Sequence, residues 1–182
     1  MMTRAVLALA LLGLSVVGCG GGGKYGYSPK YIPTDSEEAA LKGARDYDPV
    51  MYNREPEVWR KGTVTLFGVV TARAPGNGGM ATVGLSVRRL EPRNLCENGN
   101  DDDTCRVTVS DKDFGTVRAL VPLKGEDDVG EHSVAVGSLL RVVGKIGEDV
   151  DESGMPVLRA SFYRHWPRYF YVTRANAETM RQ

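Results

Sequence analysis

The chain has 182 residues, and its 23 basic residues balance 23 acidic ones, so no global positive field draws in nucleic acid. Apolar residues make up 42% of the chain and charged residues 25%; both are ordinary values for a globular protein and exclude wholesale disorder. Three cysteines and two histidines are too few for most cysteine-histidine zinc frameworks. The length predicts one globular domain with tails.

The first residues have the pattern of an export signal. A short positive start, residues 1–4, is followed by an uncharged apolar run over residues 5–17. A transmembrane helix needs about 20 apolar residues, so the shorter run is typical of a signal peptide. The run ends in Ser15-Val16-Val17-Gly18-Cys19, with a small residue directly before a cysteine. This order resembles the lipobox of bacterial lipoproteins.

The resemblance implies cleavage after Gly18 and acylation of Cys19, with palmitate among the chains that hold the protein to a membrane. The residue after this cysteine is Gly20 and not an aspartate, which resembles the pattern of lipoproteins sent to the outer membrane. We therefore expect an anchor in the outer membrane and a domain that faces the periplasm. The alternative is an ordinary signal peptide with a chance cysteine. The predicted segments are a signal peptide 1–18, a flexible glycine-rich tether 19–33, a helix and aromatic segment 34–60, a barrel domain 61–172 and a tail 173–182.

Thr34 and Glu37 stand at capping-box spacing and predict the start of a helix. We expect this helix to run to about Arg45 and the Asp48-Pro49 pair to break the chain after it. Trp59 is predicted to lie in the core.

From residue 62 onward the apolar residues alternate with polar ones, which is the pattern of strands. Gly68 in the first strand predicts a bulge or sharp bend. Short strands without a helical period between them predict an all-β fold, a small antiparallel barrel or sandwich. The predicted strands are residues 63–70, 82–88, 106–110, 114–123, 137–146 and 157–163.

The strand order, a long first hairpin and the stretch Val136-Gly137-Ser138-Leu139-Leu140-Arg141-Val142-Val143-Gly144-Lys145-Ile146 resemble an OB-fold over about residues 60–165. The resemblance implies a small five-stranded OB-like barrel, preceded by a short N-terminal helix and the lipidated tether. OB-folds bind oligonucleotides, sugars and proteins alike, so the fold does not choose a ligand. The layout of a lipobox followed by a small β domain is also similar to Slp-type outer-membrane lipoproteins.

Two loops carry residues with possible site chemistry. Once Cys19 is acylated, Cys96 and Cys105 remain in an oxidising compartment and predict a disulfide, the alternative being two separate thiols. Asp149, Asp151 and Ser153 reproduce the opening of a calcium loop, but the closing acidic ligand is replaced by Ala160. A hairpin turn would use the same residues and is the favoured interpretation. We therefore expect no metal and no cofactor.

Residues 162–171 combine aromatic rings with basic groups, and such residues are favoured anchors at interfaces. They form the candidate surface for a partner protein or envelope glycan. The alternative is that these aromatics fold back and cover the end of the barrel. Nucleic acid is excluded as a partner by the compartment, the near-zero charge and the acidic loops. The candidate surface residues are Tyr163, Arg164, His165, Trp166, Arg168 and Tyr169.

No nucleophile motif or metal spacing accompanies His132 or His165, so we expect no enzyme activity. The predicted function is a membrane-anchored envelope lipoprotein that acts as a non-catalytic binding or scaffold module. The first alternative is a passive structural or stress-response lipoprotein, and the second is a hydrolase.

Overall fold

Alternating apolar residues build five strands that close into a barrel. The structure, a computed structural model, describes residues 31–91, 107–151 and 154–176. The helices are α1 (Asp35–Leu41), α2 (Pro49–Arg54) and α3 (Pro56–Arg60). The strands are β1 (Arg45–Asp46), β2 (Val64–Pro75), β3 (Ala81–Arg88), β4 (Thr108–Val109), β5 (Thr116–Val121), β6 (Leu139–Val150), β7 (Pro156–Trp166) and β8 (Val172–Thr173).

The barrel strands follow the order β2-β3-β5-β7-β6, and β6 pairs with β2 to close the sheet. Strands β5 and β7 run parallel, whereas the other pairs within the barrel are antiparallel. The predicted fold class, an all-β five-stranded barrel with a short N-terminal helix, is confirmed. None of the helices in the described ranges is long and apolar enough to cross a bilayer.

The interior of the barrel is filled by one face of each strand, as the period-two pattern predicts. Leu140, Val142 and Ile146 of β6 meet Leu158 of β7 in this cluster. Gly144 interrupts the pattern because the β7 backbone passes close by: a Cβ at residue 144 would overlap the carbonyl oxygen of Arg159. A glycine is therefore required where β6 crosses the irregularity in its pairing with β7.

The bulge predicted at Gly68 lies elsewhere in β2. The pairing register with β3 shifts between Val70 and Ala72. Gly68 serves close packing, since a Cβ there would come within 2.8 Å of the Leu85 Cβ. The sequence pattern indicated the irregular strand but not the residue at which it bends.

A second apolar cluster lies on the other side of β2, β6 and β7, outside the barrel. Strands β4 and β8 pair in parallel beside it, so the predicted strand 106–110 is present as β4 but is not part of the barrel. The Trp166 side chain is fully buried here. The cluster consists of Phe67, Val107, Val109, Leu139 and Trp166, with Tyr31, Val69 and Tyr171 packed against it.

The segment before the barrel differs from its prediction in two ways. Helix α1 ends at Leu41, because Gly43 turns the chain at a φ of 77° and residues 45–46 then pair with β2. The Asp48-Pro49 pair begins a helix instead of breaking one. The Asp48 carboxylate accepts hydrogen bonds from the amides of Val50 and Met51 at 2.9 and 3.1 Å, and a proline is well suited to the first helical position.

Trp59 is buried, as predicted. Its ring meets that of Tyr47 edge-on at 5.9 Å, and the guanidinium of Arg45 lies 3.7 Å from its ring centre.

Candidate functional site

The structure places the six residues of the candidate partner surface in three separate environments. Arg164 and Trp166 lie on the side of β7 that α1 and Tyr31 cover. Tyr163 and His165 contact the short 3-10 turn Gly125–Asp127. Arg168 and Tyr169 follow β7. The six residues therefore do not form one continuous surface.

A carboxylate of α1 is buried between two arginines of the barrel. The Glu37 side chain is 0% exposed. It accepts hydrogen bonds from Arg141 at 2.8 Å, from Arg164 at 2.9 Å and from the hydroxyl of Tyr31. The amide of Thr34 also donates to it at 3.3 Å, which completes the predicted capping box. One carboxylate therefore caps its own helix and fixes that helix to the barrel.

The charges of this cluster explain why it holds together. Burial opposes ionisation of Glu37, but the Tyr31 hydroxyl and the guanidinium groups of Arg164 and Arg141 outweigh it and hold the pKa of the carboxyl below its ordinary value. Burial and the neighbouring carboxylate raise the pKa of the Tyr31 phenol, so that it stays a hydrogen-bond donor. The cluster carries two positive charges and one negative charge.

Aromatic rings line both arginines. The guanidinium carbon of Arg141 lies 4.8 Å from the ring centre of Phe67, and that of Arg164 lies 4.7 Å from the ring of Trp166. Tyr31 meets Phe67 and Trp166 edge-on at 5.7 and 6.0 Å. Such cation–π and ring contacts each contribute about 0.5–1.5 kcal/mol. The predicted partner residue Arg164 is thus used inside the molecule.

Trp166 is corrected from a surface residue to a core residue, because none of its side chain is exposed. A partner cannot reach it in this state. The alternative interpretation, in which aromatics of this segment cover the barrel, describes Trp166 correctly.

Tyr163 and His165 share the carboxylate of Asp127. The Tyr163 hydroxyl donates to one oxygen at 2.9 Å and accepts a hydrogen bond from the amide of Lys124 at 3.2 Å. The His165 Nδ1 lies 2.7 Å from the other oxygen. Burial and the bond to Asp127 raise the pKa of Tyr163 to about 12. The phenol is therefore a neutral donor at physiological pH.

The His165 side chain is only 3% exposed. Burial lowers its pKa, and this outweighs the opposing effect of Asp127. Its Nε2 is buried without a hydrogen-bond partner in the described part of the chain. The imidazole is therefore held by Asp127 on one side, and its other nitrogen is closed to solvent.

Arg168 and Tyr169 are the members of the set that face solvent. Tyr169 is 70% exposed, and its φ of 75° lies in the left-handed region, which a tyrosine rarely adopts. The Arg168 guanidinium lies 4.8 Å from the Tyr169 ring centre. Gly137 leaves room for this arginine, since a Cβ at residue 137 would lie 3.1 Å from its Cδ.

The acidic hairpin between β6 and β7 uses Asp151 as a turn residue. Its carboxylate accepts a hydrogen bond from the amide of Met155 at 2.9 Å and forms an ion pair with Arg118 at 2.9 Å. Gly154 turns the chain at a φ of 78°. The side chain of Asp149 and residue Ser153 lie outside the described part of the chain. Within that part, no three acidic, cysteine or histidine side chains are grouped as they would be around a metal ion.

The three cysteines also lie outside the described ranges. Acylation of Cys19 and a disulfide between Cys96 and Cys105 therefore stay predictions.

No protein-family model and no curated protein matches the sequence. Solved structures that match include a lipoprotein from Klebsiella pneumoniae subsp. pneumoniae, provisionally named as nucleic acid-binding. It is 16% identical to this chain, the alignment covers 74% of this chain and 99% of that one, and the TM-score is 0.33. At this distance the comparison assigns no ligand to this chain.

The prediction that excluded nucleic acid as a partner is contradicted by this comparison, because a matching lipoprotein is named for that ligand. We withdraw the exclusion. It rested partly on the overall charge, and a neutral total does not prevent cations from clustering locally: Arg88, Arg89 and Arg141 line one cleft.

The buried histidine predicts a loss of stability in mild acid. Its pKa in the folded protein lies below the ordinary value of 6.5, so the unfolded chain binds more protons near and below that pH. The histidine's contribution is therefore present above pH 6.5 and lost as the pH falls. We expect the free energy of unfolding to fall by up to about 1 kcal/mol between pH 6.5 and 5.5, measured by urea denaturation.

A His165→Asn variant keeps a donor toward Asp127 but does not titrate, so its loss of stability over this range should be smaller. The charge of the exposed His132 contributes to lowering the pKa of His165, so His132→Asn should change the pH dependence less than His165→Asn does. An unchanged pH dependence in His165→Asn would contradict this assignment.

Proposed function

We propose that the protein is a lipid-anchored, non-catalytic binding module of the bacterial envelope, and that it binds a partner protein through a surface formed by Val136, Arg168 and Tyr169. We call this the Tyr169 surface. The leader pattern around Cys19 supports the anchor. The barrel is consistent with a binding role, because small OB-like barrels commonly present binding surfaces, although the fold alone does not define a function.

The observation that carries the proposal is the conformation of Tyr169. A left-handed φ costs a residue with a Cβ about 1–2 kcal/mol, yet the ring is largely exposed and fills no core. Strain held at an exposed aromatic residue is a pointer to function. Tyrosine and arginine are also the residues that dominate binding energy at protein interfaces.

The surroundings of Tyr169 fit a protein partner. Val136 is more than half exposed, and the next residue, Gly137, packs against Arg168. The carbonyl of Gly137 also accepts a hydrogen bond from Tyr171 at 2.9 Å, which ties this turn to the segment after β7. An apolar side chain, a ring and a cation therefore project from two connected turns.

A non-catalytic role is supported by the way in which the reactive groups are used. Glu37 neutralises arginines, Asp127 binds His165 and Tyr163, and Asp151 forms a hairpin. Each of these groups stabilises a connection of the fold.

Replacing Tyr169 should separate binding from stability. Tyr169→Gly removes the ring and the backbone strain, while it loses a cation–π contact and makes the unfolded chain more flexible. We expect the free energy of unfolding to stay within about 1 kcal/mol of the wild type, because these effects offset one another. Crosslinking in cells should show a discrete adduct with the wild-type chain, reduced at least tenfold in Tyr169→Gly.

Val50 on α2 is similarly exposed, and Val50→Ala supplies the control, which should keep the adduct. An adduct that persists in Tyr169→Gly would place the binding surface elsewhere. The absence of any stoichiometric adduct would favour a passive envelope lipoprotein instead.

The anchor is tested separately with Cys19→Ala. Without the acylated cysteine we expect the chain to leave the membrane fraction after cell lysis, because the acyl chains supply the attachment. Retention of Cys19→Ala in that fraction at the wild-type level would contradict the lipid anchor while leaving the Tyr169 surface open to the crosslinking test.

A further inference from the structure

A cleft of about 430 Å³ lies between the β1–α2 turn, the outer side of β2 and the end of β3. Its volume falls within the range of small-molecule sites. Three arginines and three rings contribute to its lining: Arg88, Arg89, Arg141, Tyr47, Phe67 and Phe114. The Tyr169 surface shares no residue with this cleft.

The guanidinium of Arg88 has unused hydrogen-bonding capacity. Its Nη1 donates to the carbonyl of Asp111. Its Nε is buried and has no hydrogen-bond partner among the residues that the structure describes. A buried donor without a partner costs free energy. Arg88 also lines the cleft, and a turn of its guanidinium toward an anion there would give this donor an acceptor.

Arg89 adds a second cation beside an aromatic ring. Its guanidinium carbon lies 4.3 Å from the ring centre of Phe114. Its closest carboxylate contact, with Asp48, measures 3.9 Å, and the other oxygen of Asp48 already caps α2. This guanidinium is well exposed, so it can turn toward a ligand with little loss of internal bonding.

The remaining lining residues determine the electrostatic potential in the cleft and form its apolar wall. Arg141 is committed to Glu37 and Thr65 but still adds positive charge to the cleft. Asp46 and Asp48 are the acidic groups that line it. The rings of Phe67 and Phe114 offer apolar contact next to the cations.

We propose that this cleft binds a small amphipathic anion, a carboxylate or phosphate joined to an aromatic or other apolar body. The anionic group pairs with Arg88 and Arg89, whose planar guanidinium groups match the geometry of carboxylate and phosphate oxygens. The apolar body packs against Phe114 and Phe67. This site is additional to the partner surface and does not depend on it.

Calorimetric titration of the full chain in detergent tests the proposal with defined probes. Phenyl phosphate and benzoate each combine a ring with an anion, whereas inorganic phosphate and benzyl alcohol each supply one half of that chemistry. We expect the better of the two combined probes to bind at least tenfold more tightly than inorganic phosphate and than benzyl alcohol. The stronger of phenyl phosphate and benzoate identifies the anionic group.

Arg88→Gln should weaken the preferred probe at least tenfold. The side chain of Arg89 is well exposed; Arg89→Gln should also weaken the binding of this probe, and it keeps the test valid if Arg88→Gln fails to fold. Arg159 is an exposed arginine of β7 outside the cleft, and Arg159→Gln should leave binding unchanged. The proposal is overturned if neither combined probe binds more tightly than inorganic phosphate, or if Arg159→Gln weakens binding as much as the cleft variants do.

Discussion

The structure depends on one buried carboxylate. Strands β6 and β7 place Arg141 directly opposite Arg164, and like charges in that relation destabilise a sheet. Glu37 lies between them and bonds to both. The helix that carries it has seven residues, too few to be stable in isolation. The two arginines therefore hold the helix, and its carboxylate neutralises the repulsion between them.

This connection fixes the first described residues to the barrel. The described chain begins just before α1, with Tyr31 bonded to Glu37 and packed on Phe67 and Trp166. The first described residues are therefore fastened to the β6–β7 side of the barrel. The cleft shares Arg141 and Phe67 with the fastening residues, whereas the Tyr169 surface shares none of them.

Much of the fold could be predicted because strand alternation and helix capping are local signals. The strands, the Thr34–Glu37 capping box and the burial of Trp59 all follow from short stretches of sequence. The role of Glu37 could not be predicted in this way, because its two arginines are 104 and 127 residues further along the chain. Alternation assigned Arg141 to the outer side of β6 but could not show that α1 covers that side.

The same limit explains the mixed outcome for the candidate partner surface. Aromatic and basic residues close together in sequence were assigned to one surface, but a strand sends neighbouring side chains to opposite faces. Trp166 consequently lies in the outer apolar cluster, His165 beside Asp127 and Tyr169 in solvent. The cleft was missed because its arginines come from two strands far apart in sequence.

Glu37 fastens the N-terminal segment to the barrel. The most direct test of this role compares Glu37→Gln with Glu38→Gln, a change at the exposed neighbour on the same helix, by urea denaturation across pH. Because the folded-state pKa of Glu37 lies below 4.5, its contribution is present above that pH and is lost as the pH falls through the folded pKa. At pH 7 we expect Glu37→Gln to lose about 3 kcal/mol of unfolding free energy, and the difference from wild type to shrink below pH 4.5, while Glu38→Gln stays near wild type. Equal stability of the two variants at pH 7 would contradict the account.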